Sequence, residues 1–117
     1  MTAAVQFSTT ISDDVAIAMI GGRLDANNAQ GVREKLAELA DQAQSVVVDL
    51  SSLEWIDSSG VGALVSLYKR VLTAGGKVNV ACLNGQPKEI FRLLRLDAAL
   101  RAFPSVDEAV AHLRADS

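Results

Sequence analysis

Two short apolar runs rich in β-branched residues open the chain, at Val5 to Thr10 and at Val15 to Ile20. Ser12 to Asp14 separates them with small polar residues that favour a turn, so the pattern predicts an antiparallel hairpin. Apolar residues then recur at helical spacing, and Asp25 or Asn27 can cap the N-terminus of that predicted helix. The apolar positions of this helix are Ala29, Val32, Leu36, Leu39, Ala40 and Ala43.

The middle of the chain predicts a strand, a helix and a second strand. Ser45 to Leu50 is a β-branched run without alternation, as expected for a central strand that is covered on both faces. Ser51 to Ile56 has the pattern of a loop, and a second amphipathic helix begins at about Ser58. Its apolar stripe consists of Val61, Leu64, Val65, Tyr68 and Leu72. Gly75-Gly76 ends this helix, and Lys77 to Leu83 returns as a strand.

The last third of the chain predicts two more helices around a short strand. Gln86 to Leu96 has helical spacing, and a strand follows around Leu100 to Phe103. Ser105 and Glu108 have the spacing of a capping box, which predicts a final helix from about Val106 to Arg114. Together the elements predict an α/β fold, with a mixed sheet of four to five strands and about four helices packed against it.

The composition supports one small domain and argues against nucleic acid and membrane as partners. With 117 residues, of which 50% are hydrophobic, the chain can bury one core, so we expect a single domain over residues 1–117 with its core at about 5–113. A net charge of −3 without a basic patch argues against nucleic-acid binding. No segment approaches the ~18 apolar residues that span a bilayer. We therefore expect a cytoplasmic protein that binds neither nucleic acid nor membrane.

Residues that often carry catalysis are sparse. The single histidine, His112, has no nearby ligand pattern and is expected at the surface, and the single cysteine, Cys82, is expected as a buried small hydrophobe within a strand. Gly60-x-Gly62 lacks the further residues of a nucleotide-binding loop. Ser58 has neither the Gly-x-Ser-x-Gly context nor an evident base. We therefore expect no enzymatic activity, no metal and no cofactor.

One polar, glycine-containing turn stands out, Asp57-Ser58-Ser59-Gly60, directly before the second helix. On spacing alone it can be a simple cap, in which Asp57 or Ser58 accepts hydrogen bonds from free N–H groups of the first turn. Two features favour a further role: three polar residues stand where a cap needs one, and Gly60 and Gly62 reduce helix propensity. Small residues allow another surface to approach closely, and a hydroxyl at the positive helix end is well placed to carry a phosphate.

The chain resembles a known family over roughly Val5 to Leu113: the anti-sigma factor antagonists, built on the STAS domain (sulfate transporter and anti-sigma antagonist). The matching segments are Gly22-Arg23-Leu24-Asp25, Val46 to Leu50, Ile56-Asp57-Ser58-Ser59-Gly60-Val61-Gly62, Gly75-Gly76 and Phe103 to Ala109. The Asp-Ser-Ser-Gly-x-Gly sequence after a buried strand is the most specific of them. The resemblance implies the STAS fold and a regulatory protein.

In that family, the serine directly after the aspartate is phosphorylated by a partner that is both an anti-sigma factor and a serine kinase, which implies Ser58 as the acceptor. The unphosphorylated antagonist binds this partner and frees the sigma factor; phosphorylation breaks the complex, and a metal-dependent serine phosphatase restores it. The resemblance implies that the kinase supplies ATP and the chemistry. The implied partner-binding residues are Asp25, Asp57, Ser58, Ser59, Gly60 and Gly62.

Four positions and one alternative function stay open. Arg23 stands where the family commonly carries Glu, which reverses a charge near the implied interface. Arg95 stands where the family often has Gly, which leaves open whether the turn after the third helix differs, since a left-handed cap is unfavourable for a non-glycine residue. Asp25 is either part of the binding face or only a cap, and Trp55 is either a partly buried packing residue or a partner anchor. The alternative is a non-switching STAS subunit, such as a stressosome scaffold or a cytoplasmic accessory subunit of a lipid transporter.

Overall fold

Residues 4–115, which the computed structural model describes, form a sheet of six strands and four helices. The strands are β1 (Gln6–Ser12), β2 (Val15–Leu24), β3 (Ser45–Asp49), β4 (Leu53–Ile56), β5 (Val78–Ala81) and β6 (Arg101–Phe103). The helices are α1 (Ala29–Ala40), α2 (Ser58–Thr73), α3 (Gly85–Leu93) and α4 (Val106–Ala115), and a 3₁₀ turn (Leu96–Ala98) follows α3. The mixed α/β architecture predicted from the sequence is confirmed.

The sheet is parallel except for its first strand. Its order is β1-β2-β3-β5-β6, with β1 antiparallel to β2, and β4 pairs in parallel with the end of β2. The predicted hairpin and the central place of β3 are therefore confirmed. The prediction of a loop over Ser51 to Ile56 was wrong, because Leu53–Ile56 pairs with Gly22–Leu24 across a register shift. So short a strand, exposed at its two middle residues, has no clear periodicity.

The two faces of the sheet are covered by different helices. Val46 and Val48 of β3 pack in the main core with the buried residues of α1 and α2, whereas Val47 packs against α4. This division follows from the alternation of side chains along a strand. Buried Asn79 of β5 also holds α4, since its Nδ2 donates a hydrogen bond to the carbonyl of Ala109 at 3.0 Å. Because both faces are covered, the β3 valines are almost completely buried.

Two predictions near the C-terminal half need correction. The strand predicted through Leu83 ends at Ala81, and Cys82 follows it with a left-handed φ of 64° and only partial burial. The third helix ends at Leu93, and Arg95 adopts the left-handed conformation, with φ 55° and ψ 35°. The helix predicted through Leu96 is therefore shorter than expected, and Arg95 takes the conformation that a glycine would adopt more easily.

Helix α4 begins as its capping pattern predicts. The Oγ atom of Ser105 accepts a hydrogen bond from the backbone N–H of Glu108 at 3.1 Å. This bond satisfies one of the N–H groups that the first helical turn leaves without an intrahelical acceptor. The predicted start of the last helix at Val106 is confirmed.

Candidate functional site

The turn before α2 is capped by Asp57 and not by Ser58. Asp57 has extended backbone angles, and its Oδ1 accepts hydrogen bonds from the N–H groups of Ser59 at 2.9 Å and Gly60 at 3.1 Å. Ser58 is the first helical residue, and its side chain is exposed. Within residues 4–115 the Ser58 hydroxyl makes no hydrogen bond. The aspartate thus performs the capping alone, and the serine hydroxyl is left available.

Asp57 also joins α2 to the segment that follows β2. Its backbone N–H donates to the carbonyl of Leu24 at 3.2 Å, and its Oδ2 accepts from the N–H of Ala26 at 3.2 Å. One carboxylate therefore receives three backbone N–H groups, from Ser59, Gly60 and Ala26. Hydrogen bonds from backbone N–H groups to an ionised carboxylate are stronger than neutral ones. These bonds fix the position of the turn relative to β2.

The loop between β2 and α1 is held by bonds within itself. Asp25 Oδ1 accepts from the N–H of Asn27 at 3.0 Å, and Asn28 Oδ1 accepts from the N–H of Asp25 at 3.0 Å. The residue at the N-cap position of α1 is Asn28, so the prediction of Asp25 or Asn27 as the cap was wrong. The Asp25 carboxylate closes its own loop instead. Through Ala26, that loop lies directly beside Asp57.

Gly60 is buried and allows α2 to approach β2 and β4 closely. A Cβ atom at this position would lie 2.7 Å from Ile56 Cγ1, 2.7 Å from the carbonyl oxygen of Leu24 and 2.8 Å from Leu24 Cγ. A backbone oxygen cannot move away without shifting β2, so internal packing requires the glycine. The sequence favoured a bare backbone open to a partner, and this packing role was missed at Gly60.

An open depression of about 300 Å³ lies beside Ser58, between the first turns of α1 and α2. It is lined by Ala26, Ala29, Gln30, Arg33, Ser58, Ser59 and Gly62. Gly62 leaves room for Arg33, since a Cβ atom at Gly62 would lie 3.2 Å from one of its guanidinium nitrogens. Sequence reasoning gave no role to Arg33, because a charged residue on a helix surface is ordinary and its approach to α2 depends on tertiary packing.

Gln86 of α3 fixes the residue immediately before Asp57. Its Oε1 accepts from the N–H of Ile56 at 2.9 Å, and its Nε2 donates to the carbonyl of Ile56 at 2.8 Å. The side-chain amide thereby pairs with the free edge of β4 much as a neighbouring strand would. The two residues are 30 positions apart, and no local sequence signal points to this pair. Sequence reasoning missed Gln86 for that reason.

A cation and an aromatic ring lie next to each other on β2 and β4. Arg23 and Trp55 are paired across the two strands, and the Arg23 guanidinium carbon is 5.1 Å from the centre of the Trp55 ring. The Trp55 side chain keeps 39% of its surface exposed, so it packs against a surface arginine rather than in the core. Both residues flank the ends of β2 and β4 that lead to Asp25 and Asp57.

Other reactive side chains lie away from this turn. His112 is exposed and its ring stacks on Phe103 at 4.5 Å, which confirms the expected surface position. Partial burial, and then the neighbouring Asp49 carboxylate, raise the pKa of the Cys82 thiol. In the described part of the chain, no group of three or more His, Cys, Asp or Glu side chains could hold a metal ion. Nor is any helix between residues 4 and 115 long and apolar enough to cross a membrane.

Known proteins share this sequence pattern and this fold. The STAS domain model matches residues 6–109. The chain is 30% identical over 98 residues to the anti-sigma F factor antagonist of Paenibacillus polymyxa. The matched region covers 82% of this chain and 81% of that protein. An anti-sigma factor antagonist from Mycobacterium paratuberculosis shares the fold with a TM-score of 0.87, at 21% identity and over 97% and 99% of the two chains.

A further likeness concerns the phosphorylated form of the Bacillus cell fate determinant SpoIIAA. That structure has a TM-score of 0.71 at 18% identity, over 93% of this chain and 98% of the other. At this identity the likeness shows the shared fold. The family match and the curated relative, which follow from the sequence, extend over most of the chain. The chain therefore belongs to the STAS domain family, as one of its anti-sigma factor antagonists.

Proposed function

We propose that this chain is a single-domain partner switch controlled by phosphorylation of Ser58. When unphosphorylated, it binds an anti-sigma factor that is also a serine kinase, and that partner releases its sigma factor. Phosphorylation by the same partner ends the interaction, and a metal-dependent serine phosphatase reverses the modification. The chain itself supplies no catalysis and no cofactor.

The observation that carries this proposal is the division of roles between Asp57 and Ser58. A serine at a helix start normally serves as a cap, and a capping hydroxyl is engaged with backbone N–H groups. Here Asp57 accepts those bonds, and the exposed Ser58 hydroxyl remains open to a kinase. SpoIIAA, a protein of the same fold, is known in both an unphosphorylated and a phosphorylated form. Both facts support Ser58 as the acceptor.

The proposed partner-binding face is formed by the exposed part of this turn and by the adjoining loop. It includes Asp25, Asp57, Ser58, Ser59 and Gly62, whereas buried Gly60 acts by setting the path of the turn. A phosphate on Ser58 adds about −1.5 to −2 charges at neutral pH within this face. Asp57 next to it is already negative. Phosphorylation therefore changes the charge of the docking surface without breaking any capping bond.

The test is the phosphorylation state of the chain in its native cells. We expect intact mass to show a phosphate-bearing fraction that changes between growth and stress, and site mapping to place it on Ser58. Ser58→Ala should abolish the modification, while the matched variant Ser59→Ala should retain it. Unchanged phosphate on Ser58→Ala would overturn the site assignment. Persistent absence of phosphate from the parent chain would instead favour a non-switching STAS subunit.

A further inference from the structure

The depression beside Ser58 contains one unpartnered cation. Among the described residues that line it, Arg33 alone is charged, and the others are small or neutral. Two surface arginines elsewhere have acidic partners, since Arg70 pairs with Asp41 at 3.1 Å and Arg92 with Glu89 at 2.6 Å, and Arg23 lies against the Trp55 ring. Within residues 4–115, Arg33 makes no hydrogen bond or ion pair. Its guanidinium is therefore available to an anion that enters the depression.

The position of Arg33 matches the position of Ser58 on α2. One guanidinium nitrogen lies 3.2 Å from the site of an absent Cβ at Gly62. Gly62 is four residues after Ser58, so both positions face the same side of the helix, and Cβ positions with this spacing lie about 5–6 Å apart. A group attached to Ser58 can reach along this face. Gly62 keeps the face clear, so that Arg33 can lie on it.

We propose that this depression is an internal receptor for the phosphate of phosphorylated Ser58, with Arg33 as its counter-ion. The inference rests on the proposed modification of Ser58 and describes what the modified residue does. A guanidinium can bind two oxygens of a phosphate monoester at once, which adds direction as well as strength to the contact. Arg33 forms no ion pair with the Asp57 carboxylate, which accepts hydrogen bonds from three backbone N–H groups.

In this arrangement the phosphate changes the shape of the proposed partner-binding face as well as its charge. A phosphate held by Arg33 lies over Ser59 and Gly62, which belong to the proposed partner-binding face. The partner then loses access to that face, and part of the phosphate charge is neutralised inside the chain. The modified form is thus inactive because its own side chains cover the docking surface.

The test uses a chain in which phosphoserine is installed at position 58 during synthesis, so that no kinase is needed. ³¹P NMR follows the second ionisation of the phosphate, whose ordinary pKa is about 6. Arg33 should lower this pKa, and Arg33→Gln should raise it again by roughly half a unit to one unit. Asp25 and Asp57 are present in both chains, so their repulsion of the phosphate cancels in the difference.

Arg70→Gln is the matched control, because it removes the same charge from a distant part of the surface. We expect it to leave the phosphate pKa unchanged, and Arg33→Lys to restore part of the shift through charge without a bidentate contact. An equal pKa in the parent and in Arg33→Gln, or an equal shift in Arg70→Gln, would overturn the inference. Because the phosphate is installed synthetically, these outcomes are independent of whether native cells modify Ser58.

Discussion

Replacing Gly60 by alanine tests whether close packing of α2 on the sheet fixes the turn that presents Ser58. The added Cβ would lie within 2.8 Å of three atoms, of which one is the backbone oxygen of Leu24. The others belong to buried side chains, Ile56 and Leu24 itself. Neither can turn away without disturbing the core. The substitution therefore forces α2 outward at its first turn.

The expected loss of stability follows from two opposing contributions. Adding a methyl group to a filled core costs about 1–3 kcal/mol. Alanine recovers up to about 1 kcal/mol of helix propensity relative to glycine, and less than that near a helix end. Gly60→Ala should therefore destabilise the chain by about 1–2 kcal/mol. Where a helical glycine has free space around it, replacement by alanine is expected to stabilise the chain.

Gly31 in α1 supplies that comparison, because a Cβ there meets no atom within 4 Å. Gly31→Ala should stabilise the chain by about 0.4–1 kcal/mol. Urea unfolding followed by circular dichroism measures the free energy of unfolding of both variants and of the parent. The dependence of this free energy on urea concentration should be equal in all three if their unfolded states are alike. A Gly60→Ala chain that is as stable as the parent would refute the packing argument, and the glycine would then need another explanation.

Two further predictions concern groups near the same end of the sheet. Gln86→Leu leaves the N–H and carbonyl of Ile56 without partners and should cost roughly 1–3 kcal/mol in urea unfolding. Exposed Gln42→Leu should change stability by less than about 0.5 kcal/mol, and equal effects would contradict the pairing. Because the pKa of the Cys82 thiol is raised, its alkylation by iodoacetamide at pH 8 should be slower than that of glutathione. Asp49→Asn should accelerate it, and an unaltered rate would exclude Asp49 as a cause.

The sequence predicted those parts of the fold whose signal is local. The valine run of β3 identifies a strand that is buried on both faces, and the start of α2 at Ser58 is confirmed. The predicted apolar stripe of α2 was wrong in its position, because Leu72 is exposed and the buried residues are Gly60, Ala63, Leu64, Leu67 and Val71. Strand β4 was not predicted, because it has four residues and two of them are exposed. Its pairing with the end of β2 supplies the stability that its own sequence does not indicate.

The candidate site was predicted in part for the same reason. Asp57 and Ser58 are neighbours in sequence, so their turn is visible as a motif, and only the structure decides which of them is the cap. Arg33 and Gln86 reach the turn from other helices, and nothing in their local sequence distinguishes them from ordinary surface residues. Their contributions depend on how α1 and α3 pack, which a single sequence does not specify.

The contacts around the turn suggest why a switch can operate there without refolding. Every bond that positions the turn involves Asp57, Ile56 or the packing of Gly60, and none involves the Ser58 hydroxyl in the described structure. Modification of Ser58 therefore need not break any of these contacts. In the proposed switch, the added phosphate acts on the exposed face through its charge and through its contact with Arg33. Because the turn keeps all of its positioning contacts, we expect the added group to change partner binding without a rearrangement of the chain.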